Sequence, residues 1–313
     1  MELFSLTGVA LLLALGVTFL NGFTDAPNSI ATTVATKALS MNLACLLSAV
    51  CNLLGLLISL YANMSVAESV LAGASLGEKR EIGIIVILLT TIIFAVACWI
   101  FSMPSSESHA LLASLFGASM ALSSTISLAP AFKILIYMVI SCVISFLLSC
   151  ITYKMLKKAN FPWRGLQIAS CALSSAMHGA QDGQKLVALL LFLYPVNTRQ
   201  TLVASSLAVG VALFLGTLLG GGRIVKTMGQ GIVDLTQKSA FVSEISSSVC
   251  LIFCSSLGMP VSTSNIKACS VAGAGLLDGK SVCYKTLVKM AYVAILTFPI
   301  CIALSYLITR ALA

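Results

Sequence analysis

Two short polar stretches interrupt a sequence that is otherwise strongly apolar, and they decide the fold. The first reads Asn-Gly-Phe-Thr-Asp-Ala-Pro-Asn at 21–28, and the second reads His-Gly-Ala-Gln-Asp-Gly-Gln-Lys at 178–185. Asp25 and Asp182 occupy the same place in the two stretches, 157 positions apart. Each lies deep in an apolar run, where a charge costs about 2.5–3.5 kcal/mol on insertion scales. Acids kept in such places predict a functional site.

A second pair of motifs repeats at almost the same spacing. Met-Pro-Ser-Ser-Glu-Ser-His at 103–109 matches Met-Pro-Val-Ser-Thr-Ser-Asn at 259–265, with an offset of 156. Two motif types in one order at nearly one offset indicate a duplicated chain. We therefore predict an N-terminal repeat over residues 1–155 and a C-terminal repeat over 156–313, which together form one membrane transport domain.

The composition is that of a membrane protein. Of the 313 residues 59% are hydrophobic and 9% are charged, with mean hydropathy +1.05, whereas a soluble domain carries about 25% charged residues. Apolar runs of about 20 residues recur and predict an all-α polytopic protein. The formal charge of +8 lies mostly in short loops, so it indicates membrane topology and not nucleic-acid binding. The eleven cysteines show no metal-ligand spacing and are expected to be small buried hydrophobes.

Each half is expected to contain a broken helix with the aspartate, a second span, a re-entrant helical hairpin with the Pro-Ser motif at its tip, and a last span. The predicted segments of the first half are 4–37, 41–62, 83–102 with 106–127, and 132–153. Those of the second half are 165–195, 200–220, 240–258 with 261–277, and 285–309. The connectors 64–80 and 221–238 receive no chemical role.

The distribution of Lys and Arg predicts the orientation. With re-entrant hairpins each half crosses the membrane three times, so the second half is inverted. Eleven of the eighteen Lys and Arg residues then fall inside and five outside, as the positive-inside rule requires. Both termini are predicted to be extracellular. If every hairpin arm crossed fully, the halves would instead be parallel.

The polar residues around the two aspartates suit a cation. Carboxylate, amide and freed backbone oxygens are the ligands that Na⁺ prefers. We expect glycine and proline to break both helices there, which frees these backbone groups. If the driving ion is Na⁺, Asp25 and Asp182 are its predicted metal ligands. The predicted cation-coupling set is Asp25, Asp182, Asn21, Thr24, Gln181 and Glu244. The alternative is a structural polar contact between helices.

The hairpin tips suit an anion. A helix that starts inside the membrane offers unpaired N–H groups and the positive end of its dipole, although ordinary helix capping is the alternative. The predicted oxyanion-binding set is Ser105, Ser106, Ser108, Ser262, Thr263, Ser264, Asn28, Gln184 and Lys185. Cations bound at the aspartates would attract the anion, so each ligand would raise the affinity of the other.

Four further residues have open roles at this level. Glu107 either carries a proton or pairs with Lys185 or Lys267. His109 either donates to the anion or caps the hairpin arm. Lys185 and Lys267 either counter the anion or neutralise a nearby acid. An intramembrane aspartyl protease and a channel are the competing classes, and the duplicated Pro-Ser tips favour a transporter that is not an enzyme.

These motifs resemble the inorganic phosphate transporter (PiT) family over essentially the whole chain. The stretches 21–28 and 178–185 resemble its two aspartate signatures, and 241–279 resembles its second hairpin. Thr24 and Gln181 stand where that family usually has Asn. The resemblance implies a symporter that imports phosphate with Na⁺ or H⁺ by alternating access, with sulfate or another oxyanion as the alternative substrate. It also implies a multi-pass protein of the plasma or inner membrane that forms a homodimer in the lipid bilayer. We expect no nucleic-acid partner and no cofactor beyond the co-transported ion.

Overall fold

In the part of the chain that the computed structural model describes, the regular secondary structure is helical. That part is residues 5–73, 75–100, 105–122, 129–194, 198–222, 225, 229 and 231–313, with the side chains of 129–131 left out. Its helices are α1 (Leu6–Thr24), α2 (Pro27–Ala35), α3 (Met41–Ala62), α4 (Ser65–Ala72), α5 (Arg80–Ile100), α6 (Glu107–Leu122), α7 (Ala129–Met155), α8 (Trp163–Leu191), α9 (Arg199–Leu219), α10 (Gln237–Ser256), α11 (Thr263–Leu277) and α12 (Tyr284–Leu312). Among these residues, seven helical segments are long and apolar enough to cross a membrane. The prediction of a multi-pass helical membrane protein is confirmed.

The outer surface and the interior have opposite polarity. On α7 the side chains of Ile136, Val139, Val143 and Leu147 are each more than half exposed, and their spacing of three or four residues puts them on one face. The buried residues include many serines, threonines, asparagines and charged side chains. Such an apolar exterior fits a bilayer, and the polar interior positions the site.

The first aspartate helix is interrupted at the predicted place. α1 ends at Thr24 and α2 begins at Pro27, so Asp25 and Ala26 separate the two helices. Pro27 has no N–H to continue the ladder of α1 and is favoured at the start of a helix. The backbone N–H groups of Asp25 and Ala26 both bond to the carbonyl of Asn21. The carboxylate therefore stands at a helix junction.

The second aspartate helix is not interrupted, and the prediction of a break there is wrong. α8 runs without a gap over 29 residues and contains Asp182 in its second half. Stretch 178–185 has glycines but no proline, and glycine keeps its N–H and costs only about 1 kcal/mol in a helix. Gly179 instead permits close packing, because a Cβ atom there would collide with the backbone of Asn52 on α3.

The two hairpins have the expected arms. α5 packs on α6, and α10 packs on α11. Pro104, at the first tip, lies outside the described residues. The second tip contains Gly258 with φ of 63°, and Ser262 caps α11 by accepting from Asn265 N at 3.3 Å. α5 and α10 have 21 and 20 residues, about 30 Å, the thickness of a bilayer core. The re-entrant course of the arms stays a prediction.

The helices of each half pack largely against helices of the other half. α1 contacts α9 and α3 contacts α8, while α6 contacts α12 and α7 contacts α11. Two matching hydrogen bonds secure the hairpins: Ser305 Oγ donates to Ser114 O at 2.8 Å, and Ser149 Oγ donates to Ser270 O at 2.7 Å. Each residue of one bond lies 156 positions from its counterpart in the other bond. The offset of the sequence motifs thus recurs in the contacts.

Candidate functional site

Asp25 is buried where the α1–α2 junction faces the second hairpin, with 2% of its surface exposed. Its Oδ1 accepts hydrogen bonds from Asn28 Nδ2 at 2.6 Å and from the hydroxyl of Ser264 at the start of α11. Its Oδ2 has no hydrogen-bond partner among the described residues. One oxygen of this carboxylate therefore remains open to a ligand.

Asp182, in contrast, is surrounded by donors. Ser108 Oγ and Lys185 Nζ lie 3.1 and 2.5 Å from its Oδ1. Thr263 Oγ1 donates to Oδ2 at 2.9 Å, and His178 Nε2 lies 3.2 Å from the same oxygen. Residues from both hairpins thus bind one carboxylate, so the predicted oxyanion hydroxyls and the predicted cation aspartate share one site.

The tips of the two hairpins touch each other. Ser262 Oγ donates to Ser106 Oγ at 2.8 Å, and these two serines are counterparts, 156 positions apart. Ser106 precedes α6 and Ser262 caps α11, so the N-terminal ends of both helices meet here. Ser105 lies beside this contact and is half-buried.

Asp25 and Asp182 converge with a residue to which the sequence assigned no role. Asp25, His178 and Asp182 each place one ligand atom within 4.8 Å of the others. His178 Nδ1 lies 2.9 Å from Asn52 Oδ1 on α3. The spacing of four residues between His178 and Asp182 could have indicated the histidine. Nothing in the sequence pointed to Asn52, because its role depends on the packing of α3 on α8.

Lys185 neutralises Asp182, which is one of the two roles left open by the sequence. Its ammonium group contacts Asp182 Oδ1 at 2.5 Å, Ser108 Oγ at 2.8 Å and the carbonyl oxygen of Val261 at 2.5 Å. The side chain is 1% exposed. Lys185 therefore joins α8 to both hairpins.

Glu107 begins α6 and faces α1, not a lysine. Thr24 donates its hydroxyl to Glu107 Oε1, and Glu107 Oε2 and Asn21 Oδ1 lack hydrogen-bond partners in the described part of the chain. Glu107 and Asn21 line a small cavity with Asp182 and Lys185. No ion pair joins Glu107 to a described basic residue, so its predicted pairing with Lys185 or Lys267 is not found.

Glu244 forms a separate polar cluster and does not reach the two aspartates. Its Oε1 accepts from Thr32 and Thr33 at 2.5 and 2.7 Å, and its Oε2 accepts from Ser170 at 2.5 Å. Lys267 Nζ lies 4.0 Å from Oε1 and makes no hydrogen bond to a described residue. The pair is therefore a loose one.

Lys267 also lines a second buried cavity, which lies between α2, α8, α10 and α11. The lining is mostly polar and comprises Asn28, Ser29, Ser174, His178, Ser247, Leu251, Thr263 and Lys267. Lys267 is only 4% exposed. Hydroxyl groups and an ammonium that makes no hydrogen bond to a described residue are the donors that an oxyanion requires.

The two predicted glutamines are used elsewhere. Gln181 donates to Met259 O at 2.8 Å and accepts from Ser255 at 2.5 Å, so its amide holds the second hairpin. Gln184 Oε1 accepts from the backbone N–H groups of Val66 and Ala67 at 3.1 and 3.3 Å. Gln184 thus caps α4, and the described hydrogen bonds of both amides go to helix ends and the second hairpin, not to Asp182.

The side chain of His109 contacts α12. Its ring packs on Phe298 of α12 with a centroid distance of 5.4 Å. Neither ring nitrogen has a hydrogen-bond partner among the residues described. The backbone N–H of His109 bonds to Ser106 O at 3.1 Å, so the side chain performs no capping in this structure.

Comparisons with known proteins agree on one family. The model of the phosphate transporter family matches residues 21–161 and 157–305. A probable low-affinity inorganic phosphate transporter of Bacillus subtilis (strain 168) is 29% identical over 312 residues, which are 94% of this chain and 93% of the relative. A protein with the same description from Rhizobium meliloti (strain 1021) is 33% identical over 279 residues, 84% of this chain and 83% of the relative.

A solved structure has the same fold. It is described as the sodium-dependent phosphate transporter, and it matches 98% of both chains with a TM-score of 0.87 at 18% identity. This similarity confirms the predicted all-α membrane architecture.

Proposed function

Because this chain belongs to the phosphate transporter family, we propose that it is a symporter that imports inorganic phosphate together with Na⁺ or H⁺. Its relatives are named as transporters, so the chain is a transporter and not an enzyme. The observation that carries the proposal is the meeting of both hairpin tips on two buried aspartates. We place the protein in the plasma or inner membrane with both termini outside, as a homodimer.

We assign the driving cation to Asp25. The open oxygens of Asp25, Asn21 and Glu107 are a carboxylate, an amide and a second carboxylate, which are suitable ligands for Na⁺. Thr24 orients Glu107 from the same turn of α1. A proton bound to Asp25 or to Glu107 would neutralise a carboxylate of this site in the same way as Na⁺.

We assign the phosphate to the cavity beside Lys267. The ammonium group supplies charge, while the serine and threonine hydroxyls that line the cavity supply further hydrogen bonds. Asn28 lines this cavity and also donates to Asp25. The anion and cation sites are therefore adjacent, so binding of either ligand favours binding of the other.

Transport requires the hairpin tips to separate. Asp25, Asp182, Thr263 and Lys267 are each at most 5% exposed, so the site is closed in this structure. Motion of one half against the other is the usual route to alternating access in repeated transporters. The Ser106–Ser262 contact is the place where such a motion would open a path.

Uptake by purified protein in proteoliposomes tests the proposal. Labelled phosphate should accumulate above equilibrium under an imposed Na⁺ or proton gradient, saturate with concentration, and be competed weakly by sulfate. Asp25→Asn should abolish accumulation, with monodispersity in detergent as the control for folding. Absence of accumulation under either gradient would refute symport, and flux that never saturates would indicate a channel.

A further inference from the structure

Six charged side chains are buried in the described interior: Asp25, Glu107, Asp182, Glu244, Lys185 and Lys267. Two of these four acids have a lysine within 4.0 Å, and the other two have none in the described chain. Lys185 contacts Asp182, and Lys267 lies near Glu244. Asp25 and Glu107 form no ion pair with a lysine or arginine of the described chain.

The atoms around Lys185 Nζ are those of a cation site. They are a carboxylate oxygen of Asp182, a hydroxyl oxygen of Ser108 and the backbone carbonyl oxygen of Val261, at 2.5, 2.8 and 2.5 Å. Carboxylate, hydroxyl and carbonyl oxygens are also what a dehydrated Na⁺ selects. The ammonium has three N–H donors, and three acceptors surround it.

This geometry separates Lys185 from the phosphate. All three donors are directed to protein oxygens, and Lys185 is not among the residues that line the cavity beside Lys267. An anion bound to Lys185 would have to displace Asp182, Ser108 or Val261. Removal of one partner from a buried ion pair is strongly destabilising, because it leaves a buried charge uncompensated, so the lysine remains bound to Asp182.

We propose that the Lys185 ammonium is a tethered cation, fixed in an oxygen-lined site on Asp182 that a transported cation would otherwise fill. The proposal rests on the proposed symport. Asp182 then holds the two hairpin tips together, and the transported cation binds on the Asp25 side only. The protein consequently carries one monovalent cation fewer per phosphate than the same site would require with a neutral residue at position 185.

The cation-to-phosphate ratio tests this directly. It is obtained in proteoliposomes from the cation gradient that just balances an opposing phosphate gradient. Lys185→Asn leaves Asp182 charged, so a transported cation must take the empty place, and the ratio should rise by one. The thermal midpoint of this variant should also rise with Na⁺ more than that of the wild type, because Na⁺ gains a second site. An unchanged ratio, or the same Na⁺ effect in both proteins, would overturn the tethered cation.

A double variant decides the matter if Lys185→Asn carries no phosphate. Asp182→Asn alone leaves the buried Lys185 ammonium without its carboxylate partner. Asp182→Asn combined with Lys185→Asn removes both charges. The double variant should transport at least about tenfold faster than Asp182→Asn, since stranding a buried charge costs more than 1.4 kcal/mol. Equal inactivity of the two folded variants would refute the proposal. Failure of the wild type to accumulate phosphate would instead refute symport, while the Na⁺ effect on unfolding still tests Lys185.

Discussion

Asp25 and Asp182 match in sequence but have different partners, and the difference arises from single residues. Asp182 has a lysine three positions later, and Asp25 has Asn28 at the corresponding distance. One carboxylate is thus neutralised within the protein and the other keeps an open oxygen. The equivalence suggested by the repeated motif does not extend to charge.

Lys267 should determine the affinity for phosphate. Lys267→Met removes the ammonium from the polar cavity but keeps the length of the side chain. A charge-assisted hydrogen bond contributes about 1.5–3 kcal/mol, so the phosphate concentration at half-maximal uptake should rise about tenfold or more. Initial uptake rates over a range of phosphate concentrations measure this. Lys280→Ala, at an exposed position, is the control, and an unchanged half-saturation value in folded Lys267→Met would contradict the assignment.

Gln184 should matter for stability and not for substrate. Gln184→Leu removes the acceptor of two backbone N–H groups at the start of α4 and the donor to Asn63 O. Leaving a buried N–H unsatisfied costs about 1–3 kcal/mol, so the thermal midpoint should fall. The half-saturation value for phosphate should stay within about twofold, well below the tenfold of a lost ligand. A large loss of affinity with unchanged stability would restore Gln184 as a substrate ligand.

At the scale of helices, the sequence predicted where the helices begin and end better than it predicted the breaks within them. The predicted second span 41–62 coincides with α3, and the other predicted spans differ from the helices by a few residues. Apolar runs determine such limits, because they must match the bilayer. The continuity of α8 could not be predicted from its glycines, since a glycine serves equally for a break and for close packing. Pro27 was the reliable signal.

The partners of the polar side chains were harder to predict than the residues themselves. Asp25, Asp182 and the tip serines were recognised from repeated motifs, and they do come together. The contact of Gln184 with α4 and that of His178 with Asn52 depend on how α8 packs on elements of the first half. A single sequence contains no period or spacing that records such contacts.

The packing of α8 on α3 should be sensitive to one methyl group. In Gly179→Ala the added carbon would meet the backbone of Asn52, which cannot move without shifting α3. Overpacking costs about 1–3 kcal/mol, so the thermal midpoint in detergent should fall. Gly165→Ala on the same helix has open space around the new carbon and should be neutral or stabilising. Equal midpoints for the two variants would show that α3 and α8 are less closely packed than described.

At the scale of the molecule, the halves are interlocked and not separate domains. The hairpin of each half is bound to the last helix of the other half through Ser114–Ser305 and Ser149–Ser270. Each hairpin is therefore in direct contact with both halves. This arrangement suits a transporter in which both tips open and close together.

The loop before α12 offers a test of the orientation. Cys283 is exposed, whereas the other ten cysteines of the chain are buried or partly buried. The positive-inside prediction places this loop, with Lys280 and Lys285, in the cytoplasm. A hydrogen bond from the Thr286 hydroxyl, 3.4 Å from Cys283 Sγ, lowers the pKa of the thiol. A lower pKa increases the thiolate fraction at neutral pH, which favours alkylation.

A membrane-impermeant maleimide should therefore label Cys283 in inside-out vesicles and not in intact cells. The Cys283→Ser variant identifies the signal of this residue, and detergent-solubilised protein gives the full extent of labelling. Because α12 crosses the membrane once after Cys283, labelling from the cytoplasmic side requires the C-terminus to be outside. If the halves are inverted, the N-terminus is also outside. Labelling of Cys283 in intact cells would reverse the predicted orientation. The geometry of the site would be unaffected, because both orientations bring the same hairpin tips to the same aspartates.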